Sequence, residues 1–280
     1  MYTARTRQAP PGNSQKKGST VSKKIRLGII SALSEEQQGL VEAMQGTHKL
    51  THGMREYING NLWGIDAVCV LSRLGKVAAA MTATILVEKF EVTHIVFTGV
   101  AGSADMNVRV GDLVIAETLV QHDMDARPLF PRFEIPLTGL SGFASDLRLS
   151  QLLAASASAF LDTGLKSTIS AIECRQFGLE RPRVHRGLIG SGDQFISSRV
   201  HLARLKEALP ALLAVEMEGA AVAQVCFELG IPFAVMRTIS DNANEDAAID
   251  FMQFVKTIAS RYAFCVVRLL CERLNRPLPE

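Results

Sequence analysis

The chain has 280 residues, 48% of them hydrophobic, and a formal net charge of +2 at pH 7. That length is close to the size at which one hydrophobic core stops growing, so we expect one α/β domain, with two smaller domains as the alternative. Six of the 30 Lys and Arg residues lie in the first 24 positions, which carry no acid, so 24 bases face 28 acids in the rest of the chain. This balance argues against nucleic acid or a membrane surface as partner and favours a small molecule.

The cysteines and the apolar segments indicate a reducing compartment. The five cysteines form no Cys-x-x-Cys pair and lie mostly in apolar stretches, which is typical of reduced, packed thiols. No stretch approaches the roughly 20 apolar residues that span a bilayer, and the basic N-terminus lacks the apolar core of a signal peptide. We therefore expect a cytoplasmic protein.

Residues 1–24 are polar and rich in Pro, Gly, Ser and Lys, which predicts a disordered basic arm; a stretch added by cloning or by an early start codon is an equally simple interpretation. Residues 25–280 then form the single domain. The apolar run 25–30 predicts a buried strand that opens a βα unit. A helix is predicted to follow, with Ser34 and Gln37 as a capping box, Glu36 in its first turn and Gly46 at its end.

The rest of the chain alternates between strand and helix patterns. A β-ribbon is predicted between about Arg55 and Ser72, with its turn at either Asn59-Gly60 or Trp63-Gly64. The further predicted helices are 77–90, 145–160, 198–209, 218–229 and 251–274, and the further predicted strands are 92–97, 113–119, 184–189 and 232–239. Residues 165–184 break the rhythm and are predicted to be an irregular insertion. The alternation predicts an α/β fold of three layers, α/β/α, around a central parallel or mixed sheet.

Polar residues cluster just after the predicted strands, where ligands collect in open α/β sheets. The segments concerned are Glu36, Thr98–Ser103, Ser191–Phe195, Val215–Glu218 and Arg237–Asp241. Taken singly, each has a structural alternative. An acid such as Glu36 is favoured by the helix dipole in any first turn, Thr98–Ser103 fits a tight turn, and Asp241 fits a helix N-cap.

Two other acidic groupings also have two interpretations. Glu216 and Glu218 stand two apart in an apolar stretch, so one of them is expected to be buried, with a partner or a function. His122, Asp123 and Asp125 suggest either a metal site or a hydrogen-bonded loop.

Five ordered motifs identify a family resemblance. They are Gly28–Glu36, Leu74–Ala80, Ser191–Phe195, Val215–Gly219 and Arg237–Asn242. In this order they resemble the 5′-methylthioadenosine/S-adenosylhomocysteine nucleosidase family, from about Ile25 to Leu270. The resemblance implies a nucleoside phosphorylase/hydrolase-like fold, a homodimer, an adenine thionucleoside as ligand, and neither metal nor organic cofactor.

The resemblance also implies roles for particular residues. Asp241 would protonate N7 of adenine, Glu36 would act as base on the attacking water, and Arg237 would help to hold that water. An acid that stays protonated near neutral pH requires a pKa that is raised by burial or shaped by a hydrogen bond from Ser240. Glu218 would bind the ribose hydroxyls. The residues that it places against the substrate are Leu33, Leu74, Val100, Gly102, Phe195, Ile196, Glu216, Met217, Glu218 and Phe251, with Phe130 and Pro136 reaching the partner subunit's site. Of these, Met217 would pack beside the sugar, Phe195 would stack on adenine and the backbone of Ile196 would read its edge.

Two departures from the family pattern leave rival functions open. Val100 replaces a serine of many members, and Arg73 stands where glycine is common. The rivals are a nucleoside phosphorylase, in which phosphate replaces water; a hydrolase of 6-amino-6-deoxyfutalosine; and a nucleoside-binding module without catalysis. The carboxylate of Glu36 argues against the first, since an anion would meet the incoming phosphate.

Overall fold

The structure is a computed structural model that describes residues 24–179, 181–242 and 247–276. The predicted arm therefore lies almost entirely outside the described residues. The strands are β1 (Arg26–Ser31), β2 (Gln45–His52), β3 (Arg55–Leu62), β4 (Ile65–Leu71), β5 (His94–Ser103), β6 (Leu113–Gln121), β7 (Phe143–Ala144), β8 (Val184–Ser191), β9 (Leu212–Glu216) and β10 (Phe233–Asp241). The helices are α1 (Ser34–Gln37), α2 (Leu40–Ala43), α3 (Lys76–Glu88), α4 (Leu147–Ala159), α5 (Leu165–Thr168), α6 (Ala171–Gln176), α7 (Arg199–Ala208), α8 (Gly219–Leu229), α9 (Ala247–Phe254) and α10 (Ser260–Leu274), with π-helical segments at Phe160–Gly164 and Val255–Ala259.

The strands form one mixed sheet, which confirms the predicted fold class. Strands β2, β3, β4, β1, β5, β10, β6, β8 and β9 are neighbours in that order, and short β7 pairs with β6. The pairs of β1 with β4 and β5 are parallel, whereas β10 pairs antiparallel with β6. The last strand, β9, pairs back onto β5 at Gly102 and Ser103, so β5, β10, β6, β8 and β9 close into a ring.

Helices cover both faces of the sheet. Leu27 and Ile29 of β1 pack into one apolar cluster with α4 and α10, whereas Ile30 packs into a second cluster with α3 and α8. This division follows from the two-residue period of a strand that is buried on both faces. In the part of the chain that is described, no helix has both the length and the apolar character of a membrane span.

The N-terminal helix prediction is wrong in detail. The helix stops at Gln37 and restarts at Leu40, because Gly39 takes a positive φ of 84°. Ser34 does not cap it, since Leu33 occupies the N-cap position and the Ser34 hydroxyl donates to Glu35. Strand β2, which was not predicted, follows at once. Apart from Leu50, which packs against the core, its residues are polar or glycine and exposed at the sheet edge, so they carry no alternating apolar pattern.

The predicted glycine turn at Thr98–Ser103 is also wrong, because β5 continues through it to Ser103. Both glycines lie within the strand and do not mark a turn, and at Gly99 the Glu36 carboxylate approaches so closely that a Cβ would be 2.8 Å from its Oε1. The ribbon turn is at Trp63-Gly64, where both residues have positive φ as a type I′ turn requires. Residues 165–184 are more regular than predicted, since they contain α5 and α6, the latter with a Ser170/Glu173 capping box. The remaining predicted helices and strands are present within a few residues of their predicted bounds.

Candidate active site

A cavity of about 230 Å³ opens at the carboxyl ends of β1, β5, β9 and β10. Four of its lining residues are carboxylic acids, and most of the others are apolar. The lining residues predicted from the sequence are Leu33, Glu36, Leu74, Val100, Gly102, Phe195, Ile196, Glu216, Met217, Glu218, Asp241 and Phe251. Five further residues of the wall were not predicted individually, although all but the last lie within segments or motifs singled out in the sequence: Ala32, Ala101, Gln194, Val215 and Met252.

Glu36 is held by three backbone donors. Its Oε2 accepts hydrogen bonds from the N–H groups of Ala32 and Leu33 at 2.8 and 2.9 Å, and its Oε1 accepts from Val100 N–H at 3.0 Å. Burial raises the pKa of Glu36, whereas these donors and the charge of Arg237 oppose the rise. A side chain fixed in this way at the cavity wall has the geometry of a base with a defined orientation.

Glu216 and Arg237 form a buried ion pair beside the cavity. Nη2 and Nε of Arg237 donate to Glu216 Oε2 at 2.6 and 3.1 Å, and Glu216 also accepts from the Ser191 hydroxyl and Gly219 N–H. The guanidinium lies 4.0 Å from the centre of the Phe97 ring, and its Nη1 donates to backbone carbonyls. Arg237 therefore stands behind the cavity wall, and its predicted contact with a water molecule stays a prediction.

Glu218 lies at the N-cap position of α8, with its carboxylate in the cavity. Its Oε1 accepts a hydrogen bond from Gly75 N–H at 2.8 Å. Burial, with the charge of Glu216 as a further cause, raises the pKa of Glu218 to about 8. The sequence indicated one buried acid at this place, but both Glu216 and Glu218 are buried, with different partners.

Asp241 ends β10 and is buried at the cavity wall. The Ser240 hydroxyl donates to Asp241 Oδ2 at 2.7 Å, which is one of the two influences on this acid that were predicted, and Ser240 itself lies behind the wall. The alternative interpretation of Asp241 as a helix N-cap involves residues 243–246, which lie outside the described residues.

The apolar part of the cavity runs from Leu33 and Leu74 to Phe251. Phe195 stands at the rim, 49% exposed, with its ring edge-to-face against Phe251 at 6.1 Å between centroids. An exposed aromatic face beside a cavity can stack on a planar heterocycle. The apolar side chain of Val100 forms part of the cavity wall, and the N–H of the same residue donates to Glu36 Oε1.

Other predicted residues lie away from this cavity. Arg73 has a positive φ of 68°, which explains why glycine suits this position, and its guanidinium donates to the Met54 carbonyl. Phe130 and Pro136 do not line the cavity of their own chain, and their contact with a partner's site stays a prediction.

The carboxylates near His122 have donors within the chain. Asp123 accepts from Lys76 and from Asp193 N–H, and Asp125 accepts from Arg127. Across residues 24–179, 181–242 and 247–276, no three His, Cys, Asp or Glu side chains are grouped as metal ligands.

Comparison with known proteins identifies the family. Residues 26–270 match the model of the phosphorylase superfamily. A 5′-methylthioadenosine/S-adenosylhomocysteine nucleosidase of Shewanella frigidimarina is 35% identical over 246 residues, covering 88% of this chain and 99% of the relative. The chain belongs to the 5′-methylthioadenosine/S-adenosylhomocysteine nucleosidase family. It is therefore a hydrolase that acts on N-glycosidic bonds.

Solved structures agree with this nucleosidase assignment. The Neisseria meningitidis nucleosidase in complex with methylthio-immucillin-A has a TM-score of 0.77 and 31% identity, with 88% of this chain and 99% of that chain covered. A futalosine hydrolase of Helicobacter pylori has a TM-score of 0.75 and 30% identity, with coverage of 89% and 98%. The nucleosidase fold is thus shared by enzymes with two named activities.

Proposed function

We propose that this chain hydrolyses 5′-methylthioadenosine and S-adenosylhomocysteine, releasing adenine and the 5-thioribose product. The observation that carries the proposal is the convergence of Glu36, Glu218 and Asp241 on one cavity whose remaining wall is largely apolar. Loss of a nucleobase passes through an oxocarbenium-like cation, which carboxylates stabilise and which a protonated leaving-group acid helps to form.

In the proposed reaction Asp241 is the acid. Its proton goes to N7 of adenine while the electron pair of the C1′–N9 bond goes to N9, so adenine leaves neutral. The hydrogen bond from the Ser240 hydroxyl orients the carboxyl group. A general acid of this kind contributes about 10²- to 10⁴-fold to the rate.

Glu36 is the proposed base. It takes a proton from water as the water oxygen bonds to C1′ of the cation, which completes hydrolysis. The raised pKa of Glu36 strengthens it as a base, and its three backbone donors fix its direction. Arg237, paired with Glu216, supplies a positive charge close to Glu36 that keeps the carboxylate available.

Glu218 is proposed to accept hydrogen bonds from the ribose hydroxyls, which orients the sugar. In its ionised form, which becomes more populated as pH rises toward its pKa of about 8, it also stabilises the developing positive charge of the sugar. The apolar wall of Leu33, Leu74 and Phe251 suits the thioether at the 5′ position, because an apolar surface binds sulfur and methylene groups without unpaired polar atoms. Phe195 is proposed to stack on adenine, next to the backbone of Ile196.

The arrangement of charges favours water over phosphate as nucleophile. A phosphate site needs accessible cations, but the guanidinium of Arg237 is committed to Glu216 and that of Arg73 donates to Met54 outside the cavity. The Glu36 carboxylate would repel phosphate at this point. A non-catalytic binding module is disfavoured because the chain retains all three carboxylates of the predicted machinery.

The likeness to the Helicobacter pylori futalosine hydrolase supports a second candidate substrate, 6-amino-6-deoxyfutalosine. The same three carboxylates would act on its N-glycosidic bond, with a different group at the 5′ position. We also propose that the protein acts in the cytoplasm as a homodimer in which the segment containing Phe130 and Pro136 reaches the partner's cavity.

The deciding experiment is adenine release from the three nucleosides in phosphate-free buffer, with wild type and Asp241→Asn side by side. We expect release without phosphate, and a loss of at least 10²-fold in Asp241→Asn, which keeps the shape of the side chain but cannot donate the acidic proton. Release that requires phosphate would instead indicate a phosphorylase. Undiminished turnover of Asp241→Asn would remove Asp241 from its role.

A further inference from the structure

Lys76 lies outside the cavity and contacts the ends of two strands, β6 and β8, with the segments that follow them. Its ammonium donates to Asp123 Oδ1 at 2.6 Å and to Gln121 Oε1 at 3.1 Å, so it is anchored at the carboxyl end of β6. Its backbone N–H donates to Asp193 Oδ1 at 2.8 Å, just after β8. The Lys76 side chain is only 16% exposed, which distinguishes this ion pair from a solvated surface pair.

Asp123 and Asp193 are themselves joined. The second oxygen of Asp123, Oδ2, accepts from Asp193 N–H at 2.9 Å. Burial alone would raise the pKa of Asp123, but the hydrogen bonds from Lys76 and Asp193 hold it below the usual range, so the carboxylate is ionised. Lys76, Asp123 and Asp193 therefore form a closed set of contacts, which we call the Lys76 clamp.

The clamp adjoins two parts of the cavity, the carboxylate of Glu218 and the ring of Phe195. Gly75 precedes Lys76 and donates its N–H to Glu218, and Phe195 follows Asp193 by two positions at the rim. A Cβ on Gly75 would lie 3.2 Å from Asp193 Oδ1, which is tighter than most Cβ contacts, so the two loops lie close together. Moving Lys76 would therefore move both the donor of Glu218 and the loop that carries Phe195.

We propose that Lys76 is a positioning residue, whose ion pair with Asp123 fixes the Gly75 N–H on Glu218 and the Asp193–Phe195 loop in one geometry. The inference rests on the proposed function for its kinetic consequences. It assigns a role to a lysine that contacts no part of the cavity and that the catalytic scheme does not use.

The kinetic test compares wild type with Lys76→Met, Asp123→Asn and the double variant. The strength of a hydrogen bond to a charged group corresponds to about a 10- to 100-fold change in an equilibrium constant. We therefore expect each single variant to lose about 10- to 100-fold in kcat/KM. KM should rise more than kcat falls, since both loops hold the substrate in the ground state and the transition state alike. The double variant should lose little more than either single variant, because both remove the same contact.

Two further variants separate positioning from general loss of structure. Lys76→Arg keeps the charge and should recover most of kcat/KM. Lys206→Met removes a matched pair, in which Nζ lies 2.7 Å from Asp105 Oδ2 and the side chains are 29% and 21% exposed. It should lower stability as Lys76→Met does, yet leave kcat/KM within about twofold. Equal losses in Lys76→Met and Lys206→Met, or no recovery in Lys76→Arg, would overturn the proposal.

A measurement without substrate keeps this inference separable from the proposed function. The carboxyl group of Glu218 is titrated by ¹³C NMR in the unliganded protein, with Glu218→Gln to assign the signal. The groups around Glu218 are Glu216, Arg237, Glu36 and Asp241, and all are unchanged in the Lys76→Met/Asp123→Asn double variant. This variant removes one positive and one negative charge together, whereas Lys76→Met alone would raise the pKa of Glu218 merely by removing a cation. Loosening of the Gly75 N–H in the double variant should move the pKa of Glu218 upward from its wild-type value.

An unchanged pKa of Glu218 in the Lys76→Met/Asp123→Asn double variant would overturn the clamp even if wild type releases adenine. A raised pKa in the double variant would support it even if wild type releases none, an outcome that would remove the proposed function alone.

Discussion

Glu216 and Glu218 show how two acids of one short segment acquire different chemistry. Glu216 faces Arg237 and the backbone N–H of Gly219, which together satisfy its charge in the interior. Glu218 faces the cavity and has one backbone donor, Gly75. The environment of each side chain, and not its residue type, therefore decides which acid is structural and which is available to a ligand.

The raised pKa of Glu218 predicts a pH-dependent cost to stability. Between pH 4.5 and about 8 the unfolded chain loses this proton while the folded protein keeps it, so the contribution of Glu218 to stability falls as pH rises through this window. Glu218→Gln has no such group. Its free energy of unfolding relative to wild type should rise by up to about 5 kcal/mol from pH 4.5 to 8.

Urea unfolding of both proteins at several pH values across that window measures the difference. Glu36→Gln serves as a comparison, because its pKa is also raised by burial and the same direction is expected. Parallel stability profiles for wild type and Glu218→Gln would show that the carboxyl group of Glu218 titrates alike in the folded and unfolded states.

At the scale of elements, the packing of α1 against β5 brings Glu36 to its position. The Glu36 carboxylate lies over Gly99 and Val100, so close that a Cβ on Gly99 would be 2.8 Å from Glu36 Oε1. Strand β5 therefore needs a glycine there so that the carboxylate can approach the backbone N–H of Val100.

Gly99→Ala should displace the Glu36 carboxylate and lower kcat/KM by at least about tenfold, because a general base contributes about 10²- to 10⁴-fold. Steady-state kinetics of adenine release measures this loss. Gly46→Ala is the control: Gly46 has a positive φ of 61° and open space around its Cβ position, so it should cost about 1 kcal/mol of stability and no activity. Normal kinetics for Gly99→Ala would mean that Glu36 tolerates the displacement and that its fixed orientation is unnecessary.

At the scale of the whole molecule, closure of five strands into a ring gathers side chains from distant parts of the chain. Strand β9 pairs with β5 at one end and with β8 along its length, so Glu216 and Glu218 come to lie beside Val100 and Asp241. The chain outside the ring includes the exposed apolar side chain of Leu129, which is 83% exposed.

In the proposed homodimer, Leu129 precedes Phe130 in the segment that reaches the partner's cavity, so its side chain is expected to be buried in the interface between the subunits. Leu129→Glu should give monomers and lower kcat/KM at least about tenfold, because a charge buried in an apolar interface is strongly unfavourable and the partner's cavity would lose its neighbouring segment. Sedimentation velocity and adenine release test both effects. Met106→Glu, at a residue 90% exposed elsewhere on the surface, should change neither. An active wild-type monomer would refute the dimer and the roles of Phe130 and Pro136.

The sequence by itself determined the chemical groups of the site and the class of the fold. Apolar runs depend on near neighbours in the chain, so they predicted most helices and strands, and five ordered motifs indicated the family before any contact was known. The partners of the acids could not be predicted in this way. The pairing of Arg237 with Glu216, the donation of Gly75 to Glu218 and the closure of β9 onto β5 join residues 21, 143 and more than 100 positions apart. The tertiary structure alone decided these contacts, because a local pattern carries no information about which strands become neighbours.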